Sequence, residues 1–355
     1  MSPLKGRHPR TAVTHVHAVR PSAGPAASDA APLLAVRDLT VDFATDRGRV
    51  PAVRGVSFSL RAGESLAILG ESGSGKSVTG KALLGLIDPP GRVRGAIEFD
   101  GENLVGWDEG RLNTIRGPGV SMVFQDSLDS LNPVFSVGSQ VMELLRVRLG
   151  MTRREARERA VELMEQVGIP SAAERLKDYP HQFSGGMRQR MCIALAIALR
   201  PRLLIADEPT TALDVTVQAG ILRLVAQLQR ETGMALIFVT HDLAVARLVA
   251  SEVAVMYAGR IVERGGIDDI YRRPSHPYTR ALLASQPDTA HSWTDLRPVA
   301  GSPPDKADTV PGCAFHPRCP IATDQCTTEE PDLRALTADR LSRCHHAEEV
   351  LDAAH

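Results

Sequence analysis

Residues 66–84 read Leu66-Ala67-Ile68-Leu69-Gly70-Glu71-Ser72-Gly73-Ser74-Gly75-Lys76-Ser77-Val78-Thr79-Gly80-Lys81-Ala82-Leu83-Leu84. An apolar run leads into a glycine-rich turn, and helix-compatible residues follow. Gly70 to Ser77 fits G-x-x-x-x-G-K-[ST], the pattern of a phosphate-binding loop between a buried strand and a helix. In such a loop Gly70, Ser72, Gly73, Ser74, Gly75 and Val78 supply the cradle. Backbone amides point inward around a phosphate, and the helix N-terminus adds its positive end. Lys76 then reaches the β- and γ-phosphates, and the Ser77 hydroxyl holds Mg²⁺. A chance glycine turn would explain the same letters, but strand before and helix after meet the motif's structural condition.

The chain around this loop has 355 residues, a formal net charge of −1, and 43% hydrophobic and 23% charged residues. That profile belongs to a globular chain long enough for two domains or one large domain with an appendage. Near-neutral charge gives no support for nonspecific nucleic-acid binding. The longest clean apolar run is Met191–Leu199, well short of the roughly 18–20 residues of a membrane span. Residues 1–32 are rich in Pro, Ala and Ser, carry His8, His15 and His17, and show no apolar periodicity. They read as a disordered tail, with a metal-binding tract or a transit peptide as weaker alternatives; the apolar core of a secretory signal is missing.

Leu34–Phe43 and Val53–Leu60 alternate apolar and polar residues, and Asp46-Arg47-Gly48 supplies a turn between them. An antiparallel ribbon follows. Phe43, at the end of the first strand, is a candidate to stack on an adenine ring, with edge-strand core as the alternative. Arg92–Asp100 reads as another short strand. Val120–Asp126 reads as a buried strand ending in Gln125, where ligand-facing groups sit in α/β sheets. Gln125 can serve Mg²⁺ or the attacking water, or simply cap the strand. Val137–Val167 carries helical spacing with many charges, by default a solvated face, and stops at Gly168-Ile169-Pro170.

Ser184, Gly185 and Gly186 open the apolar helix 191–199, presenting a hydroxyl and bare amides as a second anion site or as an ordinary N-cap. Leu203–Pro209 is an apolar strand ending in Asp207 and Glu208. Paired carboxylates at one strand end point to chemistry. Asp207 suits a Mg²⁺ ligand, and Glu208 suits a general base that polarises water. Leu213-Asp214 forms a turn before the helix 217–230. The strand 235–240 ends in His241, which either contacts a γ-phosphate or is structural. Prolines become frequent after Gly266, which sets a boundary near residues 266–275.

The phosphate loop, Gln125, Phe183-Ser184-Gly185-Gly186-Met187-Arg188-Gln189-Arg190, Leu203–Pro209, Ala212-Leu213-Asp214 and His241 stand in the order found in ATP-binding-cassette (ABC) ATPases, which this chain resembles over residues 34 to about 265. By that resemblance Gly70–Ser77 is the Walker A loop and Gln125 the Q-loop. Ser184–Gly186 is the signature, Asp207 and Glu208 the Walker B pair, Asp214 part of the nucleotide-binding set, and His241 the switch histidine. Phe183 and Met187 depart from the family's usual LSGGQ, but the Ser-Gly-Gly core is intact. The implied fold is α/β: a P-loop, RecA-like ABC core with an antiparallel β subdomain, an inserted helical subdomain, and a small irregular C-terminal domain with cysteines. The implied division is a tail over 1–32, a nucleotide-binding domain over 33–266 with the helical part at about 128–182, and an extension over 267–355.

Three segments narrow the resemblance. Residues 124–145, 276–283 and 312–322 are similar to the oligopeptide, dipeptide and nickel importer branch. That branch implies an ATPase subunit of a peptide importer on the cytoplasmic face of the inner membrane. Its partners would be a second cassette (a paralogue or a second copy), two transmembrane permease subunits and an extracytoplasmic binding protein. Two cassettes would sandwich two ATP molecules head to tail, and residues near 130–180 would contact a membrane subunit. The rival readings are a nickel importer of the same branch and a soluble ABC subunit of a carbon–phosphorus lyase-like complex. An ABC-type nucleic-acid repair ATPase ranks last, without a coiled-coil insert or a basic stretch.

Cys313, Cys319, Cys326 and Cys344 are spaced C-x5-C-x6-C-x17-C. Thiolates bind soft metals, but these gaps do not match the short pairs of zinc fingers. Some members of the importer branch carry a [4Fe–4S] cluster on such a tail, and the resemblance favours one here. Zinc, with help from His316, His345 or His346, and simple packing cysteines are the alternatives. Cys192, in an apolar helix, reads as a small buried hydrophobe.

Overall fold

The computed structural model describes residues 31–46, 48–125, 130–211, 213–286, 299–304 and 310–353. The tail expected over 1–32 lies almost wholly outside the described residues, as do Arg47, Asp126, Ala212, Pro287 and Pro298.

Strands β1 (Leu34–Thr45) and β2 (Gly48–Leu60) form the expected antiparallel ribbon, with Thr45 opposite Gly48. Strict alternation breaks after Val36, where the pairing shifts register and Asp38 takes a φ of 48°. This bulge bends the ribbon and turns side chains on either side of it into the core. After β3 (Ser65–Leu69) and α1 (Lys76–Leu83), β4 (Gly91–Phe99) and β5 (Glu102–Asn103) extend the ribbon into a sheet of order β2-β1-β4-β5.

Helix α2 (Glu109–Ile115) leads to β6 (Val120–Val123). The inserted helical region is α3 (Val137–Leu149), α4 (Arg153–Gln166) and the single turn α5 (Ala172–Arg175). Ser136 caps α3, and a reciprocal Thr152–Glu155 capping box starts α4. The core resumes with α6 (Gly185–Ile197), β7 (Leu203–Asp207), α7 (Val215–Thr232), β8 (Ala235–Thr240), α8 (Leu243–Val249), β9 (Glu252–Tyr257) and β10 (Arg260–Gly266). The extension adds α9 (Ile267–Arg272), α10 (Pro277–Ala284), α11 (Asp324–Thr328), β11 (Arg334–Thr337), β12 (Arg340–Ser342) and α12 (Ala347–Asp352).

The main sheet has the order β11-β12-β10-β9-β3-β8-β7-β6, parallel from β9 to β6. Every residue of β3, β7 and β8 is buried, as strands covered on both faces require. Successive residues of β3 serve opposite faces. Leu66 and Ile68 join the cluster under the ribbon sheet and α1, while Ala67 and Leu69 face α8, Tyr278, Leu282 and Phe315. A third cluster joins α3, α4, α6 and α7 to Leu204, Ala206, Leu236 and Phe238. The helical region and the sheet therefore share one continuous core.

The extension does not stop at the boundary that its prolines suggest. It returns to the main sheet, where β12 pairs with β10 through Glu263–Ser342 and Arg264–Leu341. Glu263 fixes that return. Its carboxylate is fully buried and accepts from Arg340 Nη2 at 2.7 Å, from the Ser275 amide and hydroxyl at 2.7 Å each, and from the His276 amide at 3.2 Å. A buried charge needs this full set of donors. Arg340→Ala leaves the carboxylate without its counter-charge and is expected to destabilise the chain by about 3–5 kcal/mol. Chemical denaturation monitored by circular dichroism measures the loss; a change below about 1 kcal/mol would mean that the pair is not holding the extension.

Candidate active site

Strands β3, β6, β7 and β8 end at one edge of the sheet, and each delivers a polar group there. Beyond β3 the phosphate loop turns through Gly75, whose φ is 105° and whose added Cβ would stand 2.5 Å from the Ala52 carbonyl oxygen. At Gly70 an added Cβ would stand 2.2 Å from the Met256 carbonyl oxygen, so the backbones of β9 and the loop touch only because there is no side chain. The loop closes on Lys76, a buried cation whose Nζ donates to the carbonyls of Gly70 at 2.8 Å and Glu71 at 3.0 Å. Burial pushes the ammonium pKa down, and Glu208, with Nζ 3.6 Å from its Oε1, together with Asp207 opposes that fall.

Ser77 donates its hydroxyl to Asp207 Oδ1 at 2.9 Å. Asp207 is almost fully buried at the end of β7, and its pKa is raised mainly by that burial. A cation placed against Ser77 and Asp207 would relieve this cost, so the oxygen donors suit Mg²⁺. Glu208 follows with a φ of 44°, an uncommon value for a non-glycine residue, and its amide donates to the Val239 carbonyl at 3.0 Å. The turn swings the Glu208 carboxylate back over the loop. Its Oε2 lies 3.4 Å from His241 Nδ1, accepts from Thr211 Oγ1 at 3.0 Å and from Gln125 Nε2 at 3.4 Å. The His241 hydrogen bond, then Lys76, hold the Glu208 pKa down at about 2, against the effect of burial. The same contact raises His241. Glu208 is thus an ionised base within reach of the amide, the imidazole and the ammonium.

These groups line one pocket: Glu71, Ser72, Gly73, Gly75, Lys76, Ser77, Val78, Gln125, Glu208 and His241, with Leu282, Ser285 and Val299 on the wall. Asp207 sits behind Ser77, and the Ser74 side chain is buried under the loop. The last three wall residues come from the extension; Leu282 falls in the importer-like segment 276–283, while Ser285 and Val299 carry no sequence motif that would announce them. Thr211 also escaped the sequence, because a threonine three residues past a glutamate has no signature. Phe43 is partly buried in the cluster beneath the ribbon sheet, beside Gly91, and does not line this pocket. Ser184 caps α6 by accepting from the Met187 amide at 3.3 Å, and Asp214 caps α7 by accepting from the Val217 amide at 3.0 Å. An added Cβ on Gly186 would lie 2.5 Å from Val217 Cγ1, so the two helix starts are packed together. None of Ser184, Gly185, Gly186 and Asp214 lines the pocket.

Cys313, Cys319, Cys326 and Cys344 do line one small cavity, with His316, His345 and His346, and none forms a disulfide. Among the described residues, however, no group of three or more His, Cys, Asp or Glu side chains is arranged to hold a metal ion. Burial raises the Cys313, Cys319 and Cys344 thiols, Cys344 to about 12. Cys192 is likewise buried and raised to about 11.

A family model described as "ABC transporter" matches residues 53–211, and one described as "Oligopeptide/dipeptide transporter, C-terminal region" matches residues 262–326. The dipeptide transport ATP-binding protein DppD of Escherichia coli is 49% identical over 315 residues, which are 88% of this chain and 96% of that protein. The oligopeptide transport ATP-binding protein OppD of Salmonella typhimurium is 48% identical over 319 residues, 90% of this chain and 95% of that one. Among solved structures, the dimeric bacterial ABC transporter cassette MJ0796 matches with a TM-score of 0.60 and 28% identity, over 66% of this chain and 98% of that one. A post-hydrolysis state of the same cassette, bound to ADP and Pi, matches equally well.

The His241–Glu208 contact makes a pH-dependent contribution. His241 has a raised pKa, so the contribution is fully present below the unfolded histidine value of about 6.5 and is lost as pH rises through the folded value. His241 is largely exposed, which keeps the contribution below about 1 kcal/mol. Thermal melts of the wild type and His241→Ala between pH 5.5 and 9 should show a small wild-type advantage at the acid end that vanishes at the alkaline end. An advantage that grows with pH would exclude an ion pair between these two residues.

Proposed function

The chain belongs to the ABC transporter ATPase family, and on that premise we propose that it is the ATP-hydrolysing subunit of a peptide importer, peripheral on the cytoplasmic face of the inner membrane. The observation that carries the catalytic part is the convergence of Lys76, Ser77, Gln125, Asp207, Glu208 and His241 at one sheet edge. The match of residues 262–326 to the peptide-transporter C-terminal region supports the cargo class. Among the described residues no helix is long and apolar enough to cross a membrane, so passage of a solute falls to separate permease subunits. The helical region exposes Val134, Phe135, Val147 and Tyr179, apolar side chains that such a subunit would cover. The remaining partners in this proposal are a second cassette and an extracytoplasmic binding protein.

ATP enters with its phosphates against the loop amides and Lys76, whose ammonium exchanges loop carbonyls for phosphate oxygens. Ser77, Asp207 and Gln125 would hold Mg²⁺, which supplies charge neutralisation on the phosphates. Glu208, ionised and oriented by Thr211 and Gln125, takes a proton as water attacks the γ-phosphorus and the bond to ADP breaks. His241 holds Glu208 in place and lines the pocket, from which it would contact the γ-phosphate. Glu208→Gln keeps the hydrogen-bonding shape and removes the base. It should bind ATP about as tightly as the wild type yet hydrolyse it at least ~100-fold more slowly, as loss of a general base predicts. Near-normal turnover would refute the assignment. The same variant, with ATP and Mg²⁺, should retain two integral membrane subunits and a second cassette in a pull-down from gently solubilised membranes. Soluble partners alone would refute the transporter reading.

A second proposal concerns the cysteine cavity: it takes a [4Fe–4S] cluster, with zinc as the alternative. Four thiols free of disulfides around one cavity support it. The donor chemistry fits, and binding would draw the four thiols together and deprotonate them. Iron and acid-labile sulfide in anaerobically purified protein would establish the cluster; zinc without sulfide, or neither, would exclude it.

A further inference from the structure

Glu71 is the first variable residue of the phosphate loop, and every polar group it owns is engaged. Its amide donates to Tyr278 Oη at 2.9 Å, and its carbonyl accepts from Lys76 Nζ at 3.0 Å. Its carboxylate receives both arms of the Arg318 guanidinium, at 2.7 and 3.0 Å. Two of these three tethers come from the extension. Tyr278 lies on α10, and Arg318 ends the short 3₁₀ turn His316–Arg318, immediately before Cys319.

Arg318 is itself fixed from several sides. Its side chain is 5% exposed, its Nε donates to the Ala300 carbonyl at 2.7 Å, and Nη1 reaches Tyr257 Oη at 3.3 Å. The guanidinium lies 5.7 Å from the Tyr257 ring centre and 5.8 Å from that of Phe315. A bidentate, desolvated and stacked arginine differs from an exposed surface ion pair in both geometry and strength. Glu71 meanwhile lines the nucleotide pocket. Left unpaired, its carboxylate would face a polyphosphate of the same sign.

We infer that Arg318 is a positioning residue for nucleotide binding: through Glu71 it fixes the phosphate loop and cancels a negative charge beside the phosphates. The cysteine-bearing segment thereby sets the affinity of the distant ATP site. Two effects act in the same direction. The loop is held in its cradle shape before ATP arrives, which lowers the entropy lost on binding. The Glu71 charge is also cancelled, so it does not oppose the phosphate oxygens that Lys76 receives. This inference rests on the loop holding ATP phosphates.

The test is equilibrium binding of a fluorescent ATP analogue to the full chain with Mg²⁺, together with KM and kcat. The proteins are the wild type, Lys76→Ala, Arg318→Gln, Arg318→Lys, Glu71→Gln and the Arg318→Gln/Glu71→Gln double variant. Arg318→Gln should raise Kd and KM about ten-fold, the scale of one lost charged hydrogen-bond pair, with a much smaller change in kcat. Arg318→Lys should recover part of the affinity, since a point charge cannot take both oxygens. The double variant should bind more tightly than Arg318→Gln alone, because the uncompensated carboxylate is gone. A merely structural role would lower the melting temperature and leave the double variant no better than the single one. Arg318→Gln binding within two-fold of the wild type, or a double variant no tighter than Arg318→Gln, overturns the inference. If Arg318→Gln does not fold, Arg318→Lys decides, with an unchanged Kd overturning it. Binding lost in Lys76→Ala but kept in Arg318→Gln sinks the brace alone; a wild type that binds no ATP sinks the phosphate-loop reading as well.

Discussion

A buried ammonium at the end of β3 governs the arrangement of this protein. Lys76 is almost wholly withdrawn from water; among the described residues it donates to two loop carbonyls and pairs with a Glu208 carboxylate oxygen at 3.6 Å. Carbonyl dipoles satisfy the donors of the ammonium but compensate its charge only in part, so the site is poised to receive phosphate oxygens. The loop can approach the cation this closely because Gly70 and Gly75 have no Cβ to meet Met256 and Ala52. Those contacts in turn require β9 and the ribbon to lie against the loop. The charge at the centre thus dictates the packing two layers away.

The carboxylates are divided by environment. Asp207 is buried and bonded to one hydroxyl, so desolvation dominates and its pKa rises. Glu208, one residue later, leaves the strand through an unusual backbone turn, meets His241, Lys76, Thr211 and Gln125, and stays ionised. Adjacent acids with pKa values pushed in opposite directions are two carboxylates of one site set apart by their environments. The extension repeats the same logic at a distance. Glu263 is buried and fully donated to, which lets β12 join the sheet, and the segment before β12 carries Arg318 to the loop. The sheet edge opposite β6 is therefore closed by residues more than seventy positions downstream.

Local patterns made most of the fold legible. Alternation located β1 and β2, and apolar runs ending in polar residues located β3, β7 and β8, because those patterns follow directly from which faces are covered. The phosphate loop, Gln125, Asp207, Glu208 and His241 were legible for a related reason: each follows a strand whose end is fixed by its apolar run, and they meet because parallel strands end at one edge. What the sequence concealed is long-range. Arg318 meets Glu71 across 247 positions, and Leu282, Ser285 and Val299 reach the pocket from a proline-rich stretch without periodicity. Prolines signalled a change of texture at Gly266, but texture carries no information about where the chain goes next. It returned as a strand. The cysteine spacing, conversely, correctly indicated a shared location but not ligating geometry, because spacing brings thiols together without setting their ionisation.

Ser184–Gly186 start α6, yet they pack beside Val217 and contribute nothing to the pocket built around Lys76. A helix start of this kind can serve a phosphate only where the phosphate is held, and in this chain that is elsewhere. On the proposed reading, as the family resemblance implies, the partner would be a second cassette, whose Ser-Gly-Gly helix start would face the ATP on this chain while this chain's own would face the partner's. Each ATP then contacts two chains, and its affinity for the closed pair exceeds its affinity for the separated cassettes. That difference is what a nucleotide needs in order to shift a two-state equilibrium. Hydrolysis cuts the bond that spans the two contacts, and the closed state loses its advantage.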